Sequence, residues 1–154
     1  MREIVFALEF RGQAGPVPGA DARRRARSAA PSQALRTVFS ERGVETGVEP
    51  VPGESAVLDS EVERFGDGTF VESGTITYGG LGSVTFETVG RGVVGPSGVP
   101  GWVHGAVVWT VTGGAGGCAG ARGLITSNFA VSAGGEVVDH HVARLVLPDE
   151  VAVA

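Results

Sequence analysis

Two acidic residues, Glu72 and Glu87, have the type and spacing that acid–base chemistry requires. They fall on consecutive candidate strands that a glycine-rich turn connects. The expected register places them diagonally across the two strands, roughly 7–8 Å apart at the backbone, a gap that long side chains can close. In an apolar cavity the pKa of one member of such a pair rises, which creates a proton donor beside an ionised base. The alternative is that one or both carboxylates pair with Arg64 or Arg91, or reach water.

Two histidines, His104 and His141, are the other candidate catalytic residues, with Ser127 expected between them in the sheet. A histidine inside the protein can act as a base at neutral pH. Two histidines and a glutamate could also bind a metal ion, but no tight ligand spacing exists, so we expect no metal and no cofactor. Ser127 lacks the strand–turn–helix context of a hydrolase nucleophile. The run 139–141 (Asp-His-His) is typical of a polar strand end.

Aromatic residues are scarce, at 6% of the chain. With Ser127, four of them are the predicted substrate-binding residues: Phe70, Tyr78, Trp102 and Phe129. Trp102 follows Pro100 and Gly101 and could line a cavity entrance, where an amphipathic ring suits both media. Packing in a core or an interface is the alternative role for these rings.

The elements that must position these residues are β-strands. An apolar residue recurs at every second position of the amino terminus, in Ile4, Phe6, Leu8 and Phe10. Further candidate strands are Leu35–Ser40, 56–65, 69–78, 83–94, 102–112, 123–131 and 137–147. Short glycine turns between consecutive strands favour an antiparallel meander. The sequence therefore predicts an all-β protein, an up-and-down antiparallel barrel of about eight strands in a single domain, 1–154, of a size that can hold one small ligand.

Residues 12–33 interrupt this pattern. They are rich in glycine, proline, alanine and arginine, and predict a long loop or lid with one helical turn around Arg23–Ser28. Four arginines lie in this segment: Arg23, Arg24, Arg25 and Arg27. They fit either a solvated loop or an arm that binds an anion or a partner.

The expected register also assigns faces. Pairing Tyr78 with Ser83 gives a lumen face made of Phe70, Glu72, Ile76, Tyr78, Thr85, Glu87 and Val89. In the last three strands aliphatic content favours an inner face made of His104, Val108, Thr110, Ile125, Ser127, Phe129, His141 and Leu145. The outer face then holds Trp109, Asn128, His140 and Arg144. A slip of one residue would exchange the two faces.

Charge and composition exclude several classes of protein. The net charge is −5, which argues against a nucleic-acid partner. A single cysteine, Cys118, excludes an internal disulfide and every multi-cysteine metal site. All twelve basic residues are arginine, which is typical of high-GC bacterial genomes. We expect no signal peptide and no membrane helix, and hence a cytoplasmic location.

The glycine-rich run from Val111 to Phe129 resembles the turn shared by allene oxide cyclases and dirigent proteins. Gly113, Gly114 and Gly116 match its first glycines, and Ala121 and Gly123 match its later small residues. Two positions depart from it: Ala115 replaces a threonine and Cys118 an aromatic residue. The physical role of these glycines is to let two strands approach closely at a barrel corner.

This resemblance implies an eight-stranded barrel with a hydrophobic cavity, often assembled as a dimer or trimer. It implies a cofactor-independent cyclase or isomerase that holds a small polyketide- or lipid-like substrate in one geometry. No catalytic residue carries over, because the relevant strands show no matching motif. Two alternatives stay open: a carrier or sensor that binds without chemistry, and a structural module that uses the outside of the barrel.

Overall fold

A computed structural model of the protein describes the backbone of residues 2–148, and the side chains of these residues outside 31–40 and 49–55. None of the described residues forms a helix long and apolar enough to cross a membrane. This part of the chain is built from nine strands: β1 (Arg2–Val17), β2 (Ala20–Ser40), β3 (Gly43–Arg64), β4 (Thr69–Tyr78), β5 (Gly82–Thr88), β6 (Gly92–Pro96), β7 (Trp102–Gly116), β8 (Arg122–Ser132) and β9 (Glu136–Leu147).

The sheet closes on itself. Its strands follow the order β3-β2-β1-β9-β8-β7-β5-β4-β6, and β3 also pairs with β4. β5 and β6 share one place in the ring, because β4 and β7 each pair with both of them. The protein is therefore all-β, with a closed antiparallel barrel of eight strand positions, and the predicted fold class is confirmed.

The prediction of a loop or lid at 12–33, with a helical turn at Arg23–Ser28, is wrong. These residues belong to a hairpin in which β1 continues to Val17 and β2 begins at Ala20. After Arg24, the inward residues of β2 in this region are small: Ala26, Ser28 and Ala30. This segment does keep the two-residue period of a strand. Its inward side chains are too small for an alternation of apolar and polar residues to be visible in the sequence.

Side chains fill one half of the barrel, which we call the closed half. Phe6 stacks on Tyr78 there with the ring centroids 4.1 Å apart, and Phe86 stacks on Trp109 at the same separation. All four side chains are at most 2% exposed. The closed half is thus a dry core, whose stability comes from the burial of large aromatic rings.

The glycine-rich segment between β7 and β8 borders the closed half and inserts Cys118, which is fully buried, into the core. A Cβ atom at Gly114 would lie 2.0 Å from the carbonyl oxygen of Cys118, so only glycine permits this approach. The predicted role of the segment as a tight corner is confirmed. Burial also raises the pKa of the Cys118 thiol.

The register of β4 and β5 differs from the predicted one by a single residue. Thr77, not Tyr78, pairs with Ser83, and Ser73 pairs with Glu87. This shift turns Val84 and Phe86 into the barrel and Glu87 out to solvent. The prediction that Thr85, Glu87 and Val89 face the lumen is therefore wrong.

The faces predicted for β8 and β9 are confirmed, since Ile125, Ser127, His141 and Leu145 are at most 2% exposed. The face predicted for β7 is wrong. Val107, Trp109 and Val111 point inward, whereas His104 and Val108 are exposed. Valines occupy both faces of β7, so aliphatic content could not identify the buried one.

Candidate active site

The opposite half of the barrel, which we call the open half, contains a cavity of about 580 Å³. Three small inward residues of the β1–β2 hairpin form part of its wall: Ala14, Ala26 and Ser28. The cavity exists here because these side chains occupy far less space than the aromatic rings of the closed half. Aliphatic and aromatic residues form most of the remaining wall, including Leu58, Val62, Val94 and Val131.

Phe70 and Phe129 lie together on this wall, as predicted from their place on the lumen face. Their rings meet edge to face, with centroids 5.7 Å apart. Gly105 makes room for the second ring, because a Cβ there would lie 2.5 Å from Phe129 Cζ and 2.2 Å from the carbonyl oxygen of Val93. Trp102 also lines the cavity and is half-buried, in keeping with the predicted place at an entrance.

Glu72 lines the cavity on β4, as predicted. On the side facing β5 and β6, the backbone of Glu72 pairs with neither strand, because the pairing with β5 ends at Ser73 and the pairing with β6 begins at Phe70. The Thr88 hydroxyl fills that gap: it accepts a hydrogen bond from the Glu72 N–H at 2.7 Å and donates one to the Glu72 carbonyl oxygen at 2.8 Å. Thr88 therefore fixes the backbone that carries the candidate catalytic carboxyl group.

The carboxyl group of Glu72 has a strongly perturbed acidity. Burial raises its pKa from 4.5 to about 8, and the negative charge of Asp139 adds to the rise. The nearby Ser60 hydroxyl acts in the opposite direction but does not offset the burial. Glu72 is therefore mostly protonated at neutral pH and can donate a proton.

Asp139 is the residue that sequence reasoning missed. It lines the cavity from β9 and is 7% exposed. The Ser127 hydroxyl donates a hydrogen bond to its Oδ1 at 2.6 Å, and His141 Nε2 lies 2.7 Å from its Oδ2. Because each carboxylate oxygen can accept two hydrogen bonds, both oxygens keep a lone pair for a ligand.

A signal for Asp139 was present in the sequence. The two-residue period of a strand requires Asp139 to share the face of His141, and that face was assigned correctly to the interior. The interpretation of the run 139–141 as a polar strand end is therefore wrong for Asp139 and His141. His140 is exposed on the other face, with its Nε2 3.1 Å from Glu9 Oε2.

The two carboxyl groups belong to opposite walls of the barrel. Four strand-to-strand steps separate β4 from β9 in either direction around the ring. A molecule held between Glu72 and Asp139 would therefore meet a proton donor on one side and a carboxylate on the other. The predicted pairing of Glu72 with Glu87 is therefore wrong, and the inward carboxyl group on the wall opposite Glu72 belongs to Asp139.

His141 and Ser127 lie beneath this site rather than on its surface. His141 is 2% exposed and packs between Phe10 and Trp109, with ring centroids 4.3 and 5.1 Å away. Neither residue is part of the cavity wall. Their contacts hold Asp139 in place, which makes them positioning residues for the candidate site.

The remaining predicted site residues lie elsewhere. Tyr78 is buried against Phe6 in the closed half, away from the cavity. His104 is exposed and borders a shallow groove on the outside of the barrel. The alternative in which a glutamate pairs with Arg91 is not observed among the described residues, since this guanidinium lies 3.8 Å from Asp67 and 3.9 Å above the Phe65 ring.

Among the residues that the structure describes, no cluster of three or more His, Cys, Asp or Glu side chains could hold a metal ion. Comparisons with protein-family models, curated proteins and solved structures found no match to this chain. The resemblance to allene oxide cyclases and dirigent proteins therefore stays a prediction.

Proposed function

We propose that the protein is a cofactor-independent isomerase or cyclase that acts on a small, largely apolar molecule in the open half of the barrel. One observation carries this proposal. Glu72, whose pKa is raised to about 8, faces a cavity that the carboxylate of Asp139 enters from the opposite wall. Paired acid and base groups with separated acidities are the arrangement that proton-transfer catalysis uses.

The chemistry needs only the two carboxyl groups. Glu72 gives its proton to a developing oxyanion or carbanion of the substrate, while Asp139 takes a proton from a C–H or O–H group on the other side. The substrate gains one proton and loses one, so its composition is unchanged and no oxidant or reductant is required. Proton exchange with water at the mouth of the cavity then returns both groups to their starting states.

The shape of the cavity makes the second contribution to the proposed catalysis. Rigid strands hold the wall, and the edge-to-face pair of Phe70 and Phe129 narrows it. Restricting a flexible substrate to one conformation can lower a cyclisation barrier substantially without any proton transfer. The resemblance of the glycine-rich segment supports the same type of reaction.

The test compares three variants on a panel of unsaturated polyketide lactones and fatty-acid enones. Products of unchanged mass and altered retention time are followed by liquid chromatography with mass spectrometry. Because a positioned general acid or base contributes about 10²–10⁴-fold to a rate, Glu72→Gln and Asp139→Asn should each lower turnover at least about tenfold. Glu87→Gln is the matched control, since it removes an acid from the outer face of the neighbouring strand. Equal turnover in all three would remove the acid–base part of the proposal.

The second candidate is a carrier or sensor that uses the same cavity without chemistry. It is favoured by the hydrogen bonds from Ser127 and His141, which already engage both oxygens of Asp139. Recovery of a bound panel compound chemically unaltered after long incubation, with equal affinity for wild type and Glu72→Gln, would support this candidate over the enzyme.

A further inference from the structure

Two arginines on the cavity wall are not used by the proposed proton transfer. Arg24 on β2 and Arg64 on β3 both line the cavity. Arg24 pairs with Val62, and Arg64 lies two residues beyond Val62 on the same face of β3. The two side chains are therefore diagonal neighbours, close enough for both guanidinium groups to reach one ligand group.

These two arginines differ in their partners from five of the arginines on the outside of the barrel. Five arginines on the outside have a carboxylate within 4 Å: Arg11, Arg23, Arg27, Arg91 and Arg144. Within the described part of the chain, neither Arg24 nor Arg64 has an ion-pair or hydrogen-bond partner. The protein has 17 acidic and 12 basic residues, so unpaired cations here do not reflect a shortage of carboxylates.

Electrostatics favours an anion between them. Two guanidinium groups on neighbouring strands repel each other. Arg24 is only half-exposed, which limits how far water can screen it. An oxygen anion would relieve the repulsion and accept the forked hydrogen bonds that guanidinium groups offer.

We propose that the ligand of this cavity is an amphipathic anion, whose carboxylate or phosphate group binds Arg24 and Arg64 while its apolar body extends toward Glu72. This inference rests on the proposed binding function of the cavity and adds the substrate class. Arg64 is exposed and Asp139 is buried, so the anionic end lies at the mouth and the reacting part lies deeper. One end of the ligand is then fixed, and the opposed carboxyl groups act at a defined distance along its body.

The test uses displacement of the neutral fluorescent probe phenylnaphthylamine from the full-length protein. The competitors are decanoate, decyl phosphate and decanol, which share an alkyl chain and differ in the polar end. For wild type we expect at least one anion to displace the probe at a concentration about tenfold lower than decanol does. The better of the two anions identifies the group that the arginines bind.

The decisive variant is Arg24→Gln combined with Arg64→Gln, in which the advantage of the anions over decanol should disappear. Arg25→Gln is the matched control, because Arg25 is the exposed neighbour on the same strand and should leave the advantage intact. Each single variant should lose part of the advantage, so the result does not depend on the folding of the double variant.

Two results would overturn the inference: decanol competing as well as the anions in wild type, or an anion advantage that survives in the double variant. The first would leave the cavity as a binding site for neutral molecules, and the second would assign the anion to groups other than these two arginines. The proposed function would stand in both cases. If neither the probe nor any competitor binds to wild type, the proposed function fails together with the inference.

Discussion

The closed and open halves of the barrel are made from the same eight strand positions but have opposite interiors. In the closed half, inward aromatic residues such as Phe6, Tyr78 and Trp109 are buried together in the hydrophobic core. In the open half, the inward residues of the β1–β2 hairpin include the small side chains of Ala14, Ala26 and Ser28, and Glu72 and Asp139 line the space they leave. The comparison indicates that inward side-chain volume along the strands, rather than topology, separates a core from a site.

Buried polar atoms without a hydrogen-bond partner occur in both halves of the described structure. Tyr78 Oη and Trp109 Nε1 are such atoms in the closed half, and Ser60 Oγ and His141 Nδ1 belong to residues beside the candidate site. Burial raises the pKa of Tyr78 as well as that of Glu72, yet only Glu72 borders a space that a ligand can enter. A raised pKa therefore indicates a site only together with a cavity.

The largest expected effect is the loss of stability when Trp109 is removed from the closed half. Trp109→Ala should lower the free energy of unfolding by about 3–5 kcal/mol, since it removes a fully buried ring from a close-packed core. Trp102→Ala, at the half-buried cavity wall, should cost about 1 kcal/mol or less. Urea denaturation followed by circular dichroism measures both. Equal losses would contradict the division into a dense half and an open half.

The second effect concerns the pH dependence of stability through Glu72. Its pKa is raised in the folded state, so the native protein holds a proton that the unfolded chain releases above pH 4.5. The contribution of Glu72 to stability is complete below pH 4.5 and is lost as the pH rises toward and through about 8. At about 1.4 kcal/mol per pKa unit, the loss is on the order of a few kcal/mol.

Glu72→Gln removes this titration, so its free energy of unfolding should fall less than that of wild type between pH 5 and pH 8. Chemical denaturation across this range measures the difference. The control is Glu87→Gln, which should follow the wild-type curve because Glu87 lies on the outer face. Parallel curves for wild type and Glu72→Gln would show that Glu72 is not the buried acid of the open half.

The smallest expected effect concerns the Thr88 hydroxyl, which holds the backbone of Glu72 in the open half. Thr88→Val removes both hydrogen bonds to the Glu72 backbone and should lower the free energy of unfolding by roughly 1–3 kcal/mol. Thr85→Val is the control, because Thr85 lies on the outer face of the same strand and contacts the exposed Thr112. It should cost well under about 1 kcal/mol. If turnover is found, Thr88→Val should also shift its pH profile, whereas a merely structural role would leave the profile unchanged.

Much of the fold could be predicted from residue patterns. Most strands after residue 56, their glycine turns and the closure into a barrel follow from two-residue alternation and short antiparallel connections. The single strand predicted at 83–94 is wrong, because β5 ends at Thr88 and β6 begins at Gly92. The inward positions of Glu72, Phe129 and His141 follow from the same period. The hairpin of β1 and β2 could not be recognised, because alanine and serine on its inner face carry almost no apolar signal.

The partner of Glu72 could not be predicted either. The one-residue error between β4 and β5 exchanged Glu87 with Phe86, although the aromatic residue is the one whose burial is favourable. Asp139 lies 67 positions from Glu72 in the sequence, and only closure of the ring makes their strands face each other.

Taken alone, the order of residues determined which segments are extended and, along β4, β8 and β9, which side chains turn away from water. This is local information, because alternation along one strand records the polarity of its two faces. The tertiary structure decided which inward side chains share a space, since that depends on register, on a closed circumference and on the volume of residues far apart in the chain. The cavity, the opposed pair of Glu72 and Asp139, and the neighbouring Arg24 and Arg64 on its wall are all of this second kind.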